Sequence, residues 1–181
     1  MTDQIKVEVH VDLEALQDSR FTASSKVQQL GDILSPEDVD ALIANFDQKE
    51  ADQVLMAGFG SQYAASGPYV EGIAKVVTRQ DDPELPLTRA EQELIIITLL
   101  TSQRLPMELS LHIYLGIAHG YSAEMIGEVM MFTGIYGGIS SFAEGLFTAE
   151  KTLLALKAMV DENKPLDPAT VLTGLIGLFN G

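Results

Sequence analysis

The stretch LPMELSLHIYLGIAHG, residues 105–120, carries His112 and His119, and it sets Glu108 four residues before His112. On a helix that spacing stacks the two side chains on one face, one turn apart. A carboxylate that accepts one imidazole N–H fixes the tautomer and leaves the other ring nitrogen free to take or give a proton near neutral pH. The plain alternative is a partly buried histidine held by a local acid. Glu108 also has a local explanation, because an acid three residues after Leu105 suits a helix start.

Other residues join this pair as candidates. Glu93 lies in EQELIII. Turned toward an apolar core it would suit a general acid; turned outward it would be an ordinary acid of a first helical turn. Arg104 falls between two helical patterns, where it would either grip a substrate carboxylate through two parallel N–H bonds or stay a solvated turn residue. Tyr136 precedes a glycine pair and would line a pocket floor, since glycine lets a ligand approach the backbone; the same glycines would equally serve close helix packing. His119, near a helix end, and His10, in an extended arm, carry weaker signals. Glu93, Glu108 and His112 would make one histidine and two carboxylates for a metal, but no metal-type spacing accompanies them and no metal site is expected.

The elements that must position these side chains are helical. Ser35, Pro36 and the acids Glu37 and Asp38 mark a helix start, expected to run to about Lys49. Two further helices are expected with a break near Gly67–Pro68. Thr88 with Glu91 forms a capping-box pattern ahead of a strongly apolar helix over 89–103, which is expected to be central. Pro106 opens the next helix and Gly120 closes it, Ser122 caps another, and Gly137–Gly138 breaks it before a long helix over 139–160. A short apolar helix follows Pro168. IKVEVHV near the N-terminus alternates like a strand or an extended arm. The expected organisation is an arm and irregular or partly helical segment over 1–34 and one all-α domain over 35–181.

Composition excludes whole classes. The chain has 181 residues, 46% hydrophobic and 20% charged, as a folded domain requires. Its 11 Lys+Arg against 26 Asp+Glu give a net charge of −15. That argues against nucleic acid and against an anionic membrane as partners. With no cysteine there is no disulfide, thiolate metal site or dithiol redox chemistry. No secretory signal and no membrane span is visible, so a cytoplasmic location is the expectation.

Four pieces together resemble the carboxymuconolactone decarboxylase family, with its alkylhydroperoxidase D (AhpD)-like fold: LTRAEQELIIITLLTSQ, RLPMELSLHIYLGIAHGYS, AEMIGEVMMFTGIYGGISSF and AEGLFTAEKTL, spanning Leu87 to about Ala158. The resemblance implies an all-α fold and homo-oligomers, trimers or hexamers. The family's peroxidase branch needs a Cys–x–x–Cys ending four residues before the histidine. Here those two positions are Leu105 and Glu108, so dithiol peroxide reduction is excluded. The decarboxylase branch has a glutamate at the second position, as here, and Glu93 falls where the family places a further acid of its proton-handling site.

The implied function is a cofactor-free lyase (a decarboxylase) or isomerase acting on a small lactone or unsaturated carboxylate, as in aromatic-compound catabolism. His112 would move the proton, Glu108 would orient it, Glu93 would be a second proton-handling group, and Arg104 and Tyr136 would contact substrate. The alternative is a non-catalytic oligomeric binding or scaffold protein that keeps the fold.

Overall fold

The computed structural model describes residues 24–62 and 86–179, and every regular element among them is an α-helix. In chain order these are α1 (24–31), α2 (Pro36–Ala44), α3 (Gln48–Gln62), α4 (Arg89–Gln103), α5 (Pro106–Ala118), α6 (Ala123–Gly137), α7 (Ile139–Asp161) and α8 (Pro168–Phe179). The fold is all-α, as the sequence indicates. The expected N-terminal strand or arm and the break at Gly67–Pro68 lie outside the described residues. No described helix is long and apolar enough to cross a membrane.

Local chemistry sets most helix starts. The Ser35 hydroxyl accepts from the Asp38 amide and the Asp38 carboxylate accepts from the Ser35 amide at 2.8 Å, a closed capping box. Thr88 and Glu91 repeat that arrangement at α4, and Ser122 caps α6 through the Met125 amide. The helix expected to reach Lys49 instead ends at Ala44. Asn45 turns its side-chain amide back onto the Ala41 carbonyl, and Asp47 then accepts from the Glu50 amide to start α3. Gly138, at φ 104°, makes the sharp junction between α6 and α7.

The centre of the bundle is α5, not α4. From Leu109 to Ala118 every α5 residue except His112 is buried, and the helix packs against α2, α4, α6, α7 and α8. In α4 only Glu93, Ile97 and Thr101 are buried, a single face at four-residue spacing, while Ile95 and Leu99 are exposed. The apolar run in α4 is therefore longer than the core of one chain uses.

Gly116 sets how closely α5 approaches α4. A Cβ at this position would lie 3.2 Å from the Ile97 side chain. The bare backbone makes room one helical turn beyond His112 on α5 and one turn beyond Glu93 on α4.

Candidate active site

At this α4–α5 contact the His112 Nδ1 lies 2.7 Å from Glu93 Oε2. The Glu93 side chain is 0% exposed and the His112 ring 15%. A carboxylate has only acceptor atoms, so Nδ1 carries the hydrogen and donates it. In the neutral ring the lone pair then sits on Nε2, which makes no hydrogen bond among the described residues. The pair is thus a proton-transfer group with one nitrogen tied to the protein and the other available.

A fully buried carboxylate needs more than one partner to offset its lost hydration. The second is Arg89, one turn earlier on α4. Its Nε lies 3.2 Å from Glu93 Oε1, near enough for charge attraction but misaligned for a hydrogen bond. Through its other end, NH2 donates to Asp52 Oδ1 on α3 at 2.9 Å. The same Oδ1 accepts from Gln48 Nε2 at 2.8 Å. Gln48, Asp52, Arg89, Glu93 and His112 therefore form one continuous polar chain from α3 through α4 to α5.

The structure brings Glu93 and His112 together, but gives the orienting contact to Glu93 rather than Glu108. Glu108 is half-buried and makes no hydrogen bond or ion pair among the described residues; nor does it bond back to the Leu105 amide. The reason is that α5 turns the ring of His112 toward α4, where a buried acid is already placed. Arg104 is exposed at the end of α4, in the left-handed region at φ 54°, with no side-chain partner among the described residues. It stands in the turn before α5, eight positions ahead of His112 and outside that helix.

Tyr136 is 88% exposed. It lines an open groove of about 490 Å³ between α4 and α6, with Thr98, Ser102, Phe132 and Thr133 among the other walls. Neither His112 nor Glu93 lines that groove. His119 packs its ring edge-on against Phe46 at 5.5 Å, away from the pair. Among the described residues no group of three His, Asp or Glu is placed to hold a metal ion.

Sequence reading does not find Arg89 or Asp52. Arg89 has a local signal, since it stands four residues before Glu93 on one helix. Asp52 has none, because its meeting with Arg89 spans 37 positions.

Among known proteins, the model of the carboxymuconolactone decarboxylase family matches residues 74–151. That range contains Arg89, Glu93, Glu108 and His112 but neither Gln48 nor Asp52. No curated protein and no solved structure matches the chain.

Proposed function

We propose that this chain, whose residues 74–151 match the carboxymuconolactone decarboxylase family model, is a cofactor-free lyase or isomerase for a small lactone or unsaturated carboxylate. The observation that carries the proposal is the buried Glu93 holding His112 Nδ1 at 2.7 Å while Nε2 makes no hydrogen bond among the described residues. With Nδ1 held by Glu93 and the ring 15% exposed, Nε2 is the nitrogen left for a substrate to reach.

The chemistry balances with these groups alone. In decarboxylation the bond between the substrate carbon and its carboxylate breaks, CO₂ leaves, and the bonding electrons pass into a conjugated carbonyl as an enolate. Imidazolium Nε2–H then delivers its proton to the carbon as the enolate collapses. The ring is left neutral with Nδ1–H still on Glu93, and solvent restores the proton. In isomerisation neutral Nε2 removes one proton and returns it at the neighbouring carbon. Glu93 fixes the ring's tautomer and direction throughout. Glu108 stands one helical turn before His112 on α5 and is half-buried. Arg104 and Tyr136 are assigned no contact with the reacting atoms.

A second reading has its own observation. The described groove lies away from His112, and the exposed apolar side chains beside it suit an oligomeric scaffold that retains the fold without turnover. Screening lactones and unsaturated acids with wild-type protein separates the two. The lyase reading expects CO₂ release or double-bond migration with at least one compound. It also expects His112→Asn to lower that rate by about 10² or more with the helical fold retained. A complete screen without turnover favours the scaffold.

A further inference from the structure

The geometry points to Asp52 as a positioning residue for the proton-transfer pair, acting through Arg89 from a helix outside the family match; this role deepens the reading of the Glu93–His112 site and rests on it.

Arg89 is held from two sides, and only one of them has a direction. Its guanidinium lies against the buried Glu93, yet Nε and NH1 are buried and form no hydrogen bond. The hydrogen bond it does make is NH2 to Asp52 Oδ1, at 2.9 Å. The side chains of Arg89 and Asp52 are 11% and 15% exposed, so solvent screens this contact little. Attraction to Glu93 alone has no direction, whereas a hydrogen bond has one. Asp52 therefore decides where the cation sits. The cation in turn occupies Glu93 Oε1 and leaves Oε2 to receive His112 Nδ1–H. Gln48, one turn before Asp52, donates to the same Oδ1 and steadies the carboxylate at the far end.

The consequence falls on the tautomer of His112. A free neutral imidazole side chain favours the Nε2–H form, and only a well-placed acceptor at Nδ1 inverts that preference. If Asp52 releases Arg89, the cation is free to slide across Glu93 toward Oε2, and the acceptor is lost. A residue that served only to pack α3 on α4 would change stability and leave the tautomer as it is.

The test is ¹⁵N NMR of histidine-labelled protein at alkaline pH, with the His112 signals assigned from His112→Asn. It needs no substrate, so it can fail while turnover is found, or hold while turnover is not. In the wild type His112 is expected to show the Nδ1-protonated signature. Asp52→Asn keeps an acceptor oxygen but not the charge, and should lose part of that signature. Asp52→Ala should lose most of it, with Nε2–H becoming the major form, whereas Arg89→Met removes the cation that would take Oε2 and should keep the Nδ1-protonated signature. Circular dichroism establishes that each variant is folded; if the alanine variant does not fold, the asparagine variant decides alone. Either folded Asp52 variant retaining the full wild-type signature contradicts the proposal.

Discussion

Glu93 carries the largest electrostatic cost in the site, since its carboxylate is wholly withdrawn from water and leans on Arg89 and His112. Removing one member of such a pair leaves the other charge stranded, which costs more than the pair itself contributes. Glu93→Ala is therefore expected to destabilise the fold by about 3 kcal/mol, read from urea unfolding midpoints. Glu93→Gln keeps the shape and should lose less. A Glu93→Ala midpoint equal to wild type would mean that the buried pair is not formed in solution. Tyr114 is also a deeply buried titratable group. Burial, with Asp167 and Glu50 adding to it, pushes its phenol well above the ordinary range, so it stays protonated at any working pH.

At the scale of the helix, acids at N-termini link folding to pH. For Asp38, burial raises the pKa, but the bonds from Ser35 and the charge of Lys157, 3.5 Å away, outweigh it and hold the group below its ordinary value. Asp167 is lowered by the backbone bond from Thr170, then by the Thr170 hydroxyl. A depressed folded-state pKa contributes stability above the unfolded value, near ~3.9. That contribution disappears as pH falls through the folded value. The wild type should thus lose stability between about pH 5 and pH 3, and Asp38→Asn should start lower and lose less over that interval. Parallel losses in both proteins, measured by urea midpoints at the two pH values, would remove Asp38 from the effect.

These helix starts are also the most legible part of the sequence. Ser35, Thr88, Ser122, Pro106 and the Gly137–Gly138 break are local signals, and the helices begin or end at them. The partner of His112 is not legible, because spacing along one helix proposes only Glu108, whereas Glu93 is 19 positions away and is brought in by packing. The identity of the central helix escapes for a related reason. The unbroken apolar run Leu94–Ile97 points to α4, but a run does not distinguish a face turned to the core from one turned outward, and by count α5 is the more apolar segment.

That outward face sets the expectation for the whole molecule. Ile95 and Leu99 on α4, Phe132 and Ile135 on α6, and Ile139 at the start of α7 are all exposed. The chain carries a net charge of −15, yet the segments 94–103 and 129–143 contain no charged residue. Copies that would repel elsewhere meet no like charge across such a surface. A homo-oligomer burying more than ~1,000 Å² per contact is expected. Ile135→Asp, at a side chain that is 65% exposed and outside the core, should shift the assembly toward monomer with helicity unchanged. Light scattering that gives a monomer for the wild type at micromolar concentration would contradict this.

The most direct test of the central claim is the turnover of His112→Asn relative to wild type, on whichever lactone or unsaturated acid the screen identifies. Loss of the proton-carrying nitrogen should lower kcat by about 10² or more, with circular dichroism and assembly as in wild type. A folded asparagine variant that turns over at the wild-type rate would contradict the assignment of His112 as the proton carrier.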